Sequence, residues 1–289
     1  MTPPQTSIRP DPELSGADRE AADRVAALLA GTAPLGVAFS GGVDSSTLLA
    51  LAARTLGPDQ VLGILGVSPS LAAAERSAAH DIAAGLGVRV REVVTREGER
   101  PEYRRNHPDR CFHCKDELFT RIADDLVNRY GLAAVAYGEN ADDARRPDRP
   151  GARAAAAHAV LRPLADAGLD KAAVRSIARA FGLPCADKPA SPCLASRIPH
   201  FDEVTPEKLG QIEAAEAALR RLGFADLRVR HHGDVARIEL PPADLPRAVT
   251  EPLRQAVQRA VTSAGFRYAA VDLAGIQSGA FSMTYLDRA

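Results

Sequence analysis

LGVAFSGGVDSS, Leu35 to Ser46, is the stretch whose reading decides the fold. Leu35 to Phe39 is a short apolar run that stops at Ser-Gly-Gly, the pattern of a buried parallel strand. Ser45 to Leu56 follows as a helix, with Leu48, Leu49 and Leu51 among its apolar positions. Ser40, Gly41 and Gly42 therefore lie where the strand turns into the helix. Two glycines there let the backbone take unusual dihedrals and approach a phosphate closely. Loop amides and the helix N-terminus offer donors and partial positive charge to an anion, and the hydroxyls of Ser40, Ser45 and Ser46 add to them. Asp44 would be repelled by bare phosphate, so it points to Mg²⁺ bridging or to helix capping. No Gly-Lys-[Ser/Thr] follows, so this is not the Walker A pattern.

Outward from this turn, strands alternate with helices. Gln60–Val67, Val88–Val94 and Ala133–Gly138 read as strands, and Ala21–Leu29, Ala72–Leu86 and Lys115–Tyr130 as helices. The expected class is α/β, a parallel sheet with helices on both faces. Gly138 to Gly151 is polar, charged and broken by proline, hence a loop. A helix at Lys171–Phe181 ends at Gly182 and Pro184. Pro184, Pro189, Pro192 and Pro199 then stiffen a segment that cannot be a regular helix, and a domain boundary is placed near its end. Beyond it come a helix at Pro206–Leu222 with Thr205 as N-cap, a hairpin of Leu227–His231 and Val235–Glu239, a helix at Leu253–Ala264 and a strand at Tyr268–Leu273. The expected organisation is a disordered lead-in over 1–16, a nucleotide-binding domain with cysteine loops over 17–200, and a smaller α+β domain over 201–289.

With 289 residues, 46% of them apolar, the chain can bury a sizeable core. A net charge of −1 gives no global basic field, so nucleic acid and anionic membranes are not expected partners. The first residues lack the apolar stretch of a secretory signal, and no run approaches roughly 18 apolar residues, so the expected address is the cytoplasm.

The four cysteines, Cys111, Cys114, Cys185 and Cys193, suit metal binding or catalysis better than disulfides in such a compartment. Cys111-Phe-His-Cys114 is a C-x-x-C that could hold zinc, an iron–sulfur cluster or a redox disulfide, with Cys193 as a third ligand. Cys193 has the better claim to chemistry, because Lys188 and Arg197 are near it in sequence and either could stabilise a thiolate. Cys185, directly after a helix end, reads as an inert buried thiol. Glu139, Asn140, Asp142 and Asp143 follow the fourth strand at its C-terminal end, where they could hold Mg²⁺, position a substrate, or form a solvated acidic loop. Arg228 and Arg230 alternate on a strand and so share a face, while His231 and His232 read as surface residues.

The turn at Ser40–Ser46 resembles the PP-loop of the N-type ATP pyrophosphatases, whose fold is adenine nucleotide α-hydrolase-like. A wider likeness is carried by RCFHCK at Arg110–Lys115, GENADD at Gly138–Asp143, RPG at Arg149–Gly151, DKPASPCLASRIP at Asp187–Pro199 and LRVRHHGDVARIE at Leu227–Glu239. With these the chain resembles the LarE family, sulfur-inserting enzymes of nickel-pincer nucleotide synthesis. The resemblance implies that ATP adenylates a carboxylate of a pyridinium mononucleotide, and that sulfur then replaces AMP to leave a thiocarboxylate. It implies Cys193 as the sulfur-bearing residue, which is either sacrificed or joined with Cys111 and Cys114 on a [4Fe-4S] cluster carrying extra sulfide from a sulfur donor. It also implies ATP at Ser40, Gly41, Gly42, Asp44, Ser45 and Ser46, substrate phosphate at Arg228, Arg230 and Arg197, and a homo-oligomer, while Mg²⁺ at Asp44 and Asp142 is read from the residues themselves. The competing readings are a PP-loop enzyme that thiolates tRNA, an ammonia-using PP-loop synthetase, and a non-catalytic metal-binding or carrier protein.

Overall fold

Apolar runs bounded by turn residues build strands that are covered on both faces. The computed structural model describes residues 8–146, 150–189 and 191–276. They form two compact units. The first comprises Met1–Ser68, Ala73–Glu97 and Cys111–Ser191, and the second Pro69–Ala72, Gly98–Arg110 and Pro192–Ala289. The boundary read from the prolines was near 200. The units divide at 191/192, and two short earlier segments join the second unit.

The chain runs through α1 (Gly16–Leu29), β1 (Leu35–Ala38), α2 (Val43–Leu56), β2 (Val61–Val67), α3 (Ala73–Gly85) and β3 (Arg89–Val94). The short α4 (Pro101–Arg104) follows, then α5 (Arg110–Ile122), which continues through a π-helical turn, Ala123–Val127, into α6 (Asn128–Tyr130). β4 (Ala134–Tyr137), α7 (Ala141–Ala144), α8 (Pro150–Ala157), α9 (Pro163–Asp166) and α10 (Lys171–Ala180) complete the first unit. Its four strands are all parallel, in the order β3-β2-β1-β4. From β1 the chain winds one way to β2 and β3, and β4 is then laid on the other side. The topological switch point, where open α/β sheets bind ligands, is therefore between β1 and β4.

Alternation along β2 serves both faces. Leu62 and Ile64 join a core with Phe119 and Ile122 of α5 and Ala154 and Ala155 of α8. Gly63 turns toward Leu49 of α2, which packs in turn against α1 and α10. α2 is apolar nearly all round and is buried from Ser45 to Ala53, as a helix in the middle of a layer must be.

Three expectations are corrected. The lead-in is packed where it is described: Arg9 N–H donates to Phe181 O at 2.8 Å, and Leu14 is buried. The apolar Ile8 and Leu14 anchor an otherwise polar stretch; residues 1–7 are outside the described residues. The Gly138–Gly151 loop contains α7, capped by Asn140, and the start of α8 at Pro150, both ordinary helix-start residues; residues 147–149 are outside the described residues. The helix read from Lys115 begins at Arg110, two residues after Pro108, so both cysteines of the C-x-x-C are helical.

The second unit holds α4, α11 (Pro206–Arg221), β5 (Arg228–His232), β6 (Val235–Glu239), α12 (Leu245–Val249), α13 (Leu253–Ser263) and β7 (Tyr268–Val271). β5 and β6 are the expected antiparallel hairpin, and β7 joins β6 in parallel. Thr205 caps α11, its Oγ1 accepting from Lys208 N–H at 3.3 Å. Two fully buried carboxylates tie this unit together. Glu216 of α11 accepts from Arg197 Nε at 2.9 Å and from Val229 N–H of β5 at 3.1 Å. Glu239 of β6 accepts from Arg230 of β5 at 3.0 and 2.8 Å.

Removing one member of a buried pair strands the other charge. Glu216→Leu is expected to cost about 3–5 kcal/mol in urea unfolding. The double variant Arg197→Met, Glu216→Leu should recover a large part of that loss. Equal destabilisation in the single and double variants would refute the pairing account.

Candidate functional site

The turn after β1 is shaped by its own side chains. Phe39 N–H still pairs with Ile64 O at 2.8 Å, and the chain then leaves the sheet. Gly41 has φ +74°, and a Cβ there would lie 3.1 Å from the Cβ of Ala79 on α3. Left-handed backbone and a close helix neighbour both call for glycine. Ser45 Oγ accepts from Ser40 N–H at 3.2 Å and donates to Gly42 O at 3.1 Å, so it holds the turn closed. Ser40 and Gly42 face solvent at the N-terminus of α2, where amides and the helix dipole favour an anion. Ser46 does not belong to that exposed set: it is fully buried, with its hydroxyl beside the Cys185 thiol.

Asp44 does not cap the helix. Gly42 is the N-cap, and no side chain bonds there. The Asp44 carboxylate instead accepts from Asn140 Nδ2 at 3.0 Å and from Lys171 Nζ at 2.5 Å. Asn140 also caps α7, accepting from Asp143 N–H at 2.9 Å. Asp142 accepts from Lys171 N–H at 2.9 Å and from Arg145 at 3.0 Å. Asp44 and Asp142 are thus bridged by one residue, Lys171, and their oxygens are hard donors of the kind Mg²⁺ takes. Glu139 is buried and accepts from Tyr137 OH at 2.6 Å, with Arg162 at 3.6 Å. Gly138 packs its main chain against the first turn of α2, so tightly that a Cβ would lie 2.5 Å from Ser45 N.

Sequence reading passed over Lys171, which lies 127 positions from Asp44. Its place at the start of α10, after the Asp170 cap, carries no local signal of an ion pair so distant in the chain.

The cysteines differ in setting. Cys111 is exposed and Cys114 half-buried, three positions apart on α5 and so on one face of it. Cys185 is buried, as expected of an inert thiol. Burial pushes its pKa up, opposed by the Ser46 hydroxyl and the charges of Lys188 and Arg175. Cys193 is exposed and opens a 3-10 turn, Leu194–Arg197, in the second unit. Among the described residues, no three His, Cys, Asp or Glu side chains are grouped so as to hold a metal ion. Three thiolates would suit an iron–sulfur cluster chemically; Cys111 and Cys114 belong to the first unit and Cys193 to the second.

Neither cation expected to stabilise the Cys193 thiolate is committed to it. Lys188 donates to both oxygens of Glu75 at 2.7 Å. Arg197 is buried on Glu216 and also donates to Pro192 O at 2.6 Å and Cys193 O at 3.4 Å. It shapes the loop that presents the sulfur. Arg228 and Arg230, expected on one face of β5, are both buried. Arg230 also donates to Ser196 O at 2.9 Å. Burial lowers the pKa of Arg228, and the positive charges of Arg197 and Arg230 lower it further. Arg197 and Arg230 are each paired with a buried carboxylate, so the three guanidiniums share their surroundings with Glu216 and Glu239. His231, read as a surface residue, is buried, with Nε2 3.0 Å from Gln211 Oε1; His232 is exposed.

Comparison with known proteins agrees with this geometry. A family model described as asparagine synthase matches residues 18–142. The chain is 35% identical over 248 residues to the pyridinium-3,5-bisthiocarboxylic acid mononucleotide synthase of Lactiplantibacillus plantarum, covering 86% of this chain and 88% of that one. It is 40% identical over 243 residues to an uncharacterized protein of Synechocystis, covering 84% and 90%. A third relative, an uncharacterized protein of Methanocaldococcus jannaschii, is 30% identical over 169 residues, covering 58% and 64%.

The contact at Gly138 generates a test. Gly138→Ala places a methyl group where Ser45 N already is, and the resulting strain should cost about 1–3 kcal/mol in urea unfolding. It should also weaken nucleotide binding, since the displaced atoms are those of the turn. An alanine variant with unchanged stability and unchanged nucleotide affinity would show that the approach is not a constraint.

Proposed function

The chain belongs to the LarE family, that of the pyridinium-3,5-bisthiocarboxylic acid mononucleotide synthase, and we propose that it is an ATP-dependent sulfur transferase of nickel-pincer nucleotide biosynthesis. It converts a carboxylate of pyridinium-3,5-biscarboxylic acid mononucleotide to a thiocarboxylate. The observation that carries this reading is the solvent-facing turn Ser40–Gly42 at the N-terminus of α2, at the sheet's switch point. No helix among the described residues is long and apolar enough to cross a membrane. The reading is of a cytoplasmic enzyme working as a homo-oligomer.

A carboxylate is a poor electrophile because oxide is a poor leaving group. ATP corrects this. A carboxylate oxygen attacks the α-phosphorus, the bond to pyrophosphate breaks, and acyl-AMP forms. The amides of the turn, with the hydroxyl of Ser40, hold the phosphates, while Ser45 and Ser46 keep the turn and helix in shape. Asp44 and Asp142 would hold Mg²⁺, which offsets the charge of pyrophosphate when bound. Arg228 and Arg230, with Arg197 behind them, hold the phosphate of the pyridinium nucleotide.

The Cys193 thiolate then attacks the acyl carbon and AMP leaves, giving a thioester. A base removes the α-proton of Cys193, its Cβ–S bond breaks, and the electron pair stays on sulfur. The products are a thiocarboxylate and a dehydroalanine at 193. The alternative source of sulfur is a sulfide on a [4Fe-4S] cluster that Cys111, Cys114 and Cys193 would hold, an option supported by the two thiols that share one face of α5.

Cys193→Ala is expected to abolish thiocarboxylate formation while pyrophosphate is still released from ATP in the presence of the pyridinium nucleotide. Thiocarboxylate formation at the normal rate in that variant would remove Cys193 from the chemistry, and amide formation from added ammonia would favour an ammonia-using synthetase. Protein purified without oxygen decides the source of sulfur. Loss of the elements of H₂S from the intact mass after turnover marks the sacrificial route, and an unchanged mass with bound iron marks the cluster.

A further inference from the structure

The second unit contains a cavity of about 350 Å³ lined by Pro101, Arg104, Arg105, His107, Phe201 and Glu203. None of these residues has a part in the sulfur-transfer reading. The cavity has two walls, the segment 101–107 and the segment 201–203, and both are pinned. Val204 N–H donates to Arg104 O at 2.9 Å, and Phe201 N–H donates to Asn106 O at 3.2 Å. Asn106 is fully buried between them. Its amide donates to Pro199 O at 2.7 Å and Asp202 O at 3.0 Å, and its oxygen accepts from Arg110.

Each wall has a residue in the left-handed region, and the one at Phe201 is costly. Asn106 has φ +55° and Phe201 φ +72°. Asparagine tolerates the left-handed region, but a bulky side chain there is an outlier. Phe201 is also 57% exposed, so the fold holds a large apolar ring in water as well as in strain. Strain of this kind collects at ligand sites, where a geometry must be kept ready. The ring of His107 meets that of Phe201 edge-on, with centroids 5.1 Å apart. Arg104 is paired with Glu203, and the guanidinium of Arg105 and the ring of His107 line the cavity beside that pair.

We propose that this cavity binds a mononucleotide-sized aromatic anion, with its ring on Phe201 and its phosphate at Arg105. A cavity of that size suits one nucleotide, an aromatic face suits a planar base, and a guanidinium suits a phosphate. The proposal stands whether or not the chain transfers sulfur.

The test is a calorimetric titration of the full chain with AMP, cytidine monophosphate and inorganic phosphate, after the turn at Ser40–Gly42 is saturated with a non-hydrolysable ATP analogue. Binding of the analogue reports on the proposed function separately. Both mononucleotides should bind the parent, and inorganic phosphate should bind it more weakly. Phe201→Ala and Arg105→Ala should each weaken mononucleotide binding about tenfold, and Phe201→Tyr should retain it. Both side chains are exposed, so thermal melting should confirm that the variants fold. Absence of a binding event in the parent, equal affinity in parent and variants, or phosphate binding as tightly as the mononucleotides would overturn the proposal. It would equally be overturned if Phe201→Ala changed only the sedimentation of the protein, which would make this face a contact between copies.

Discussion

The candidate site depends on one close approach, the main chain of Gly138 against the first turn of α2. β1 and β4 are neighbours in the sheet, so their C-terminal ends are a single strand spacing apart. A side chain at 138 would push the two segments away from each other. Without one, the peptide that follows β4 lies on the helix N-terminus that follows β1. Asn140 can then reach Asp44, and Lys171 completes the carboxylate's partners. The turn is held by contacts among its own residues and the elements beside it, which leaves Ser40 and Gly42 facing solvent.

In the second unit the organising force is buried charge. Glu216 and Glu239 are withdrawn from water and occupied by arginines; Glu216 links α11 to Arg197 and to β5, and Glu239 adds a side-chain pair to the β5–β6 ladder. Such pairs are costly to bury and costlier to break, so their worth is in geometry more than in net stability. Arg197 shows this well. It holds the carbonyls of Pro192 and Cys193 while locked to Glu216, and so sets the conformation of the loop that presents the exposed thiol. Arg228 is buried near the guanidiniums of Arg197 and Arg230, each of which is paired with a carboxylate.

Much of this was legible along the chain, because local periodicity and turn chemistry act over a few residues. The run LGVAF, the glycines after it and the apolar helix from Ser45 identified a buried parallel strand and its turn; Thr205 and Pro206 marked the start of α11; the hairpin around Gly233 was found, its first strand one residue further along. The errors have local causes too. α7 and α8 were hidden in a segment whose charge and prolines look like a loop, although Asn140 and Pro150 are helix-start residues. Ser46 reads as a donor in a Gly-Ser turn, yet a helix rotates successive side chains by about 100° and turns it into the core.

The amino-acid sequence by itself determined the α/β class, the glycine turn between strand and helix at Ser40–Gly42, and the four thiols with their chemical options. Those properties follow from residue type and from neighbours a few positions away. Only the tertiary structure decided which ions pair. Lys188 and Arg197, near Cys193 in sequence, went to Glu75 and Glu216, and Lys171, far from Asp44, went to it. Charge acts through space over a few ångströms, and which charges come within that range is set by how the elements pack, not by their order along the chain.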